Sequence, residues 1–170
     1  MRIIGVDPAL QVTGYGVIDC SGGESVHVTS GTVQTKACQI LQDRLDAIYT
    51  GISDVLRRQE PDVMILEKVF VHLKHTTTAF QLGQARGAIV LAAAHLNVPI
   101  VEYAATQVKR SVVGNGHATK QQVQRMVVSQ LRLQAIPEYF DITDALALAM
   151  AYRDHNRNKD LTRILALHKQ

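Results

Sequence analysis

Cysteine, proline and glycine are all scarce in this chain, at two, four and eleven of its 170 residues. Cys20 and Cys38 stand apart in no metal-ligand spacing, which argues against a disulfide scaffold and a zinc ribbon and favours a reducing compartment. The prolines and glycines are scattered, so no linker and no internal repeat divides the chain. No apolar run reaches the length of a membrane span; the longest, from Gly87 to Leu96, is interrupted by His95. No signal peptide is expected either, because Met1 and Arg2 lead straight into a short apolar run ending in Asp7. These absences predict a cytoplasmic protein with no membrane partner.

A strong charge of one sign is also missing. Eighteen Lys and Arg against fifteen Asp and Glu leave a net charge of +3, which permits a polyanionic partner without demanding one. What is present is a globular composition: 46% hydrophobic, 19% charged residues and a mean hydropathy near zero, which exclude disorder and collagen-like repeats. A chain of this length buries roughly 70% of its unfolded surface and needs no covalent staple. One domain is expected over residues 1–153, followed by a polar tail over 154–170.

The pattern of apolar residues predicts the order of elements. Arg2–Asp7, Gly14–Asp19 and about Val26–Val33 read as three strands close enough in sequence to form an antiparallel meander. Leu41, Leu45, Ile48, Ile52 and Val55 follow the rhythm of one buried helical face over about Cys38–Arg58, and Pro61 bars its continuation. Asp62–Glu67 reads as a fourth strand whose run Val63–Leu66 is wholly apolar and is closed by an acid, as in a central strand covered on both faces. A helix over about Thr76–Leu96, a strand over Val98–Tyr103, helices over about Thr106–Val113 and Thr119–Leu131, and a last helix over about Asp141–Arg153 complete the chain. Three strands, then alternating helices and strands, define an α/β fold: a mixed five-stranded sheet with an antiparallel edge and helices on both faces. Ribonuclease-H-like proteins have this order, and so does each half of an actin-like ATPase.

Four acids stand out by position. Asp7 closes the first strand and Glu67 the fourth; if those strands pair in parallel, both carboxylates emerge at one sheet edge. Asp141 and Asp144 are three apart at the start of the last helix and share a face. Each acid taken alone is better explained by a turn or a helix start. Gathered together they would repel one another by up to about 4 kcal/mol per close pair at 4 Å in an effective dielectric of 20. A hard divalent cation such as Mg²⁺ or Mn²⁺ relieves that repulsion, and carboxylates holding two such ions are an apparatus of phosphodiester hydrolysis. Lys109, Arg110, Lys120 and Arg125 fall on the two helices around Gly114, either as a solvated face or as a phosphate track leading to the acids.

In order along the chain, Ile4-Gly-Val-Asp-Pro8, Thr13-Gly-Tyr-Gly-Val17, Glu67-Lys-Val-Phe70, Leu82-Gly-Gln-Ala-Arg-Gly87, Glu102-Tyr-Ala-Ala105, Gln107-Val-Lys109, Lys120 and Asp144-Ala-Leu-Ala147 form a pattern. It resembles that of the RuvC Holliday-junction resolvases, bacterial endonucleases with a ribonuclease-H-like fold. The resemblance covers most of Met1–Tyr152. It implies a homodimeric, Mg²⁺-dependent endodeoxyribonuclease, with two ions per site and Mn²⁺ as a substitute. Such an enzyme nicks two opposed strands of four-way junction DNA in recombination and repair, leaves 3′-hydroxyl and 5′-phosphate ends, and works with the RuvA and RuvB branch-migration proteins. Carried over by position, it makes Asp7, Glu67, Asp141 and Asp144 the metal-binding catalytic acids and places Lys109 and Lys120 on scissile-strand phosphates. It makes Phe70 an aromatic wedge at the junction crossover, where the residue alone would read as core, and gives Arg86 a DNA or structural role.

The chain departs from the family pattern at Ala9, where glycine is usual, and at the bulkier Phe140-Asp-Ile-Thr-Asp144. A turn demanding positive φ at Ala9 would be strained. His72, His75 and His117 read as surface residues. The apolar surplus of the Thr76–Leu96 helix reads as a two-fold interface, since paired cuts suit a C2 dimer. The rival readings are an actin-like ATP-binding module, a non-catalytic junction-binding homologue, and an RNA-directed nuclease of the YqgF type.

Overall fold

Successive side chains of a strand turn to opposite faces. In β1 (Arg2–Asp7), Ile4 and Val6 therefore face one way and Ile3, Gly5 and Asp7 the other, and the run from Ile3 to Val6 is buried. Such a strand must be central and covered on both sides. The structure, a computed structural model, meets this demand; it describes residues 1–21, 24–68 and 76–167, with side chains given outside 76–78 and 157–167. β2 (Val12–Ser21) runs antiparallel to β1, and β3 (Glu24–Gln34) antiparallel to β2. On the other side β4 (Val63–Glu67) runs parallel to β1, and β5 (Ile100–Tyr103) parallel to β4. The spatial order is β3-β2-β1-β4-β5.

Helices α1 (Leu41–Gln59) and α2 (Thr76–His95) cover one face, where Ile48, Ile52, Ala85 and Ile89 pack on Ile4, Val6, Met64 and Leu66. Helices α3 (Ala105–Val113), α4 (Lys120–Gln130) and α5 (Phe140–Leu167) cover the other, where Val108, Val123, Val127 and Leu146 pack on Ile3, Ile18 and Ile65. The expected mixed five-stranded sheet with helices on both faces is the one observed.

The boundaries moved for local reasons. α1 starts at Leu41 and not at Cys38, because Lys36–Gln39 closes into a turn: the Lys36 N–H donates to Gln39 Oε1 (2.6 Å) and the Gln39 N–H to the Lys36 carbonyl (3.1 Å). Leu41 is accordingly exposed. β5 starts at Ile100 and not at Val98, because Asn97 is left-handed (φ 56) and the Val98 N–H returns to the Ala93 carbonyl. The largest difference is α5, which runs to Leu167 through the expected tail. The sequence turns polar after Tyr152, but a helix satisfies its own backbone and continues. The first tail residues are engaged: Asp154 accepts a bond from Ser111 Oγ (2.9 Å) and His155 meets Tyr103 edge to face. Among the described residues no helix is long and apolar enough to cross a membrane.

α5 lies unusually close to the sheet. A Cβ at Gly5 would run into the Ala145 carbonyl oxygen, one at Gly14 into the Asp141 backbone, and one at Gly16 into the Leu146 side chain. Gly16 pairs with Gly5 across the β1–β2 ladder, and Gly14 with Asp7, so the three form one bare groove under the helix. Gly14→Ala is expected to cost about 1–3 kcal/mol through overpacking, read as a lower urea midpoint at unchanged slope.

Candidate active site

The β1–β4 register pairs Val6 with Leu66. The next residues, Asp7 and Glu67, therefore leave adjacent parallel strands at the same edge, and by strand alternation both face the α5 side. Pro8 turns the chain away after Asp7. Thr13, fully buried, pins that turn: its Oγ1 donates to the Ala9 carbonyl (2.6 Å) and accepts from the Ala9 N–H (3.3 Å). Among described non-glycine residues only Glu60, Asn97 and Arg132 have positive φ. Ala9 thus sits in an ordinary conformation, and the penalty anticipated for losing a glycine there does not arise.

The glycine groove brings in the other acids. Asp141 lies directly on Gly14, the ladder partner of Asp7. The bulkier neighbours are accommodated: Ile142 packs against the core, and buried Thr143 donates through Oγ1 to the Phe140 carbonyl (2.9 Å). Two further helices supply cations. Thr119 and Gln122 cap α4 reciprocally, the Gln122 N–H reaching Thr119 Oγ1 (3.2 Å) and the Thr119 N–H reaching Gln122 Oε1 (2.8 Å). This cap places Lys120 at the first helical position, with its Nζ 2.8 Å from Asp144 Oδ2. Lys109 projects from α3, whose start is held by the Ala104 N–H donating to Gln107 Oε1 (3.0 Å). Asp7, Glu67, Asp144, Lys109 and Lys120 line one pocket of about 250 Å³.

Electrostatically the pocket has too little positive charge to balance its acids. Burial, followed by the charges of Asp144, Glu67 and Asp141, pushes the Asp7 carboxyl up to about 8, against the opposing pull of Lys120. Burial and then Asp144 raise Glu67, while Lys120 and Lys109 oppose. Burial alone would lower the Lys120 ammonium; its hydrogen bond to Asp144 and the charges of Asp144, Asp7 and Asp141 outweigh this and raise it. Among the described residues no three His, Cys, Asp or Glu side chains are gathered closely enough to hold an ion by themselves. Mg²⁺ does not need such a cage, since it keeps several waters and binds through one or two carboxylates and substrate phosphates.

Of the expected site residues, Asp7, Glu67, Asp144, Lys109 and Lys120 share the pocket, and Asp141 stands beside it within electrostatic reach of Asp7 and Lys120. Arg86, for which a DNA or structural role is expected, makes two contacts within the chain. Its Nη1 donates to the Glu67 main-chain carbonyl (2.9 Å) and its Nη2 pairs with Glu102. Phe70, His72 and His75 lie outside the described residues, and His117 is exposed. Thr13, Glu102, Gly5, Gly14 and Gly16 fall within the quoted sequence blocks, but sequence reasoning assigned none of them its structural role. Gly14-x-Gly16 on one face of a strand was the available signal, since alternate glycines bare a stripe of sheet.

Acids at the ends of two parallel strands, joined by acids from the last helix across a β3-β2-β1-β4-β5 sheet, define the ribonuclease-H-like class of nucleases. Residues 3–152 match the family of RuvC crossover junction endodeoxyribonucleases. The chain belongs to the RuvC family. It is 45% identical over 150 residues to the crossover junction endodeoxyribonuclease RuvC of Shewanella loihica, covering 88% of this chain and 85% of that one. Among solved structures, the Thermus thermophilus RuvC in complex with a Holliday junction substrate superposes with a TM-score of 0.87 at 29% identity, covering 94% of this chain and 96% of that one. The yeast mitochondrial Holliday junction resolvase Ydc2 shares the fold at a TM-score of 0.69 and 9% identity, covering 99% of this chain and 86% of that one. This membership sets aside the ATP-binding and RNA-directed readings.

Asp7 keeps its proton to about pH 8 in the folded protein, against an ordinary value of 3.8. Between those values the unfolded chain has released the proton and the folded chain has not, so stability falls as pH rises through the window. In EDTA, Asp7→Asn is expected to melt higher than the wild type, by a margin that widens from about pH 5 to about pH 8. Thermal denaturation across that range checks this, and a margin independent of pH would contradict it.

Proposed function

We propose that the chain resolves four-way DNA junctions in recombination and repair, with Asp7, Glu67, Asp141 and Asp144 as the acids that hold the catalytic metal. The observation that carries this reading is the pocket in which half-buried, mutually repelling carboxylates on two parallel strands and α5 meet two lysines. Hard carboxylate oxygens in a site short of positive charge suit Mg²⁺, or Mn²⁺ in its place. Two bound ions would supply a nucleophilic water and stabilise the leaving 3′ oxygen. The chain's own residues do the rest. Lys109 and Lys120 meet the scissile-strand phosphates, and Lys120 is poised to exchange Asp144 for a phosphate as DNA enters. Phe70, in the segment after β4, is the proposed wedge that opens base stacking at the crossover. Residues 1–153 form the nuclease domain and 154–170 its appendage.

A junction has two strands to cut, and a two-fold dimer presents two sites. α2 offers the face for it. Phe80, Gly83, Gly87, Val90 and Leu91 recur along one exposed stripe, with Phe80 69% and Leu91 49% exposed. A Cβ at Gly83 or Gly87 would meet nothing within 4 Å, so a second helix can approach closely there. We place RuvA and RuvB as partners on the family resemblance, and the work on bacterial DNA in the cytoplasm.

The decisive experiment incubates the protein with a synthetic four-way junction and a matching linear duplex, with and without Mg²⁺. The junction alone should be nicked, and only with metal. Glu67→Gln should abolish nicking yet leave junction affinity intact, because it removes one ligand charge and none of the basic residues; nicking at the wild-type rate would sink the assignment. Gly87→Glu adds a charge to the α2 stripe and a better helix former. It should sediment as a monomer and convert a cruciform plasmid to nicked circles where the wild type linearises it.

A further inference from the structure

Glu67 is the last residue of its strand, and on the β1 side it has no ladder partner. Pairing between β1 and β4 ends at Val6–Leu66. Beyond it on the β1 side stands Pro8, which has no N–H to offer. On the other side Glu67 pairs with Tyr103, and the Lys68 N–H donates to the Tyr103 carbonyl (2.8 Å). The donor that reaches the Glu67 carbonyl is Arg86 Nη1, 2.9 Å away, and the same guanidinium pairs through Nη2 with Glu102 of β5.

We infer that Arg86 is a positioning residue for Glu67: its guanidinium bridges the acid's own main chain and Glu102, fixing the end of β4 to α2 and β5. The inference rests on the reading of Glu67 as a metal-holding acid. Three features support it. The Arg86 side chain is 16% exposed, too enclosed to lie along a DNA backbone, while Glu102 is 46% exposed. Its base is rigid, because Ala85 and Ile89 on the same helix are fully buried against β1 and β4. Finally, Arg86 holds the carbonyl and not the carboxylate, so it does not occupy the Glu67 side-chain oxygens. The charges that act on that carboxylate are those of Asp144, Lys120 and Lys109.

The planar fork of arginine presents its donors to two acceptors in one fixed geometry, whereas the donors of an ammonium rotate on a flexible stem. Loss of such an outer partner typically costs about 10- to 100-fold in metal affinity or activity. The α2 helix that carries Arg86 inward also carries the exposed Gly83–Leu91 stripe outward, so the proposed dimer face and the residue that holds the Glu67 main chain share one helix.

The test uses the full chain with Arg86→Ala, Arg86→Lys and Glu102→Gln, and Glu67→Gln as reference. Mg²⁺ affinity is read without DNA, from the rise of melting temperature on titration with Mg²⁺. Junction affinity is read in EDTA, and kcat and KM on the junction in Mg²⁺. Arg86→Ala should lose about tenfold or more in Mg²⁺ affinity and in kcat, with junction affinity and KM unchanged. Arg86→Lys should recover part of the loss, and Glu102→Gln should lose less than Arg86→Ala. If Arg86→Ala does not fold, the other two variants, which keep the bulk of the side chain, decide by the same readouts. Weakened junction binding with an unchanged Mg²⁺ response would place Arg86 on DNA and overturn the inference. So would wild-type behaviour of the variants beside an inactive Glu67→Gln. If Glu67→Gln itself binds Mg²⁺ and cuts normally, the metal assignment of Glu67 has failed and the Arg86 inference goes with it.

Discussion

The contact between α5 and the β1–β2 hairpin governs the geometry of the site. Asp7 belongs to the first strand and Asp141 and Asp144 to the last helix, so the acids converge only if that helix rests on the sheet almost backbone to backbone. Gly5, Gly14 and Gly16 permit this because each stands where a Cβ would strike α5. Glycine inside a strand is unfavourable by roughly 0.5–1 kcal/mol relative to alanine. That cost is offset where α5 buries Ala145, Leu146, Ala149 and Met150 completely against the same surface. The hairpin is also the segment that sets Asp7, through Pro8 and the buried Thr13, so one interface positions both halves of the acid cluster.

Bringing carboxylates together in a half-buried pocket works against folding, and the pocket shows the conflict. Asp7 keeps its proton far above its ordinary range, and Glu67 is raised as well. Lys120 compensates in part by closing on Asp144. An ionic cluster with too little positive charge is poorly suited to stabilise a protein and well suited to take up cations and phosphates. The stability sacrificed here is of the kind proteins concentrate at functional sites.

α2 joins the remaining parts. Its inner side, at Ala85, Ile89, Ala92 and Ala93, is fully buried over β1 and β4. Its flank reaches the end of β4 through Arg86, and its outer stripe is bare. A single helix therefore meets the sheet that carries the acids, the main chain of one acid, and the face on which a second copy is proposed to dock. Small residues make this possible: alanines allow a close seat on the sheet, and Gly83 and Gly87 leave the outer side open.

Much of the fold was legible in the residues themselves. The order of strands and helices follows from apolar spacing, and the continuous run of Val63–Leu66 already reads as a central strand. The acids at Asp7 and Glu67 stand out because each closes such a run, and Asp141 and Asp144 because they share a helical face. These are local facts, and periodicity reports local burial. Other features depend on which distant groups become neighbours, and the spacing of residues along a chain does not encode that. The parallel pairing of β1 with β4 puts two acids at one edge, and the bare glycine groove lowers α5 onto it. Asp144 receives Lys120 only because α4 lands beside α5. For Arg86 the resemblance left a DNA role and a structural role side by side. The Arg86 side chain turns inward because the end of β4 presents a carbonyl beside a proline that cannot donate to it.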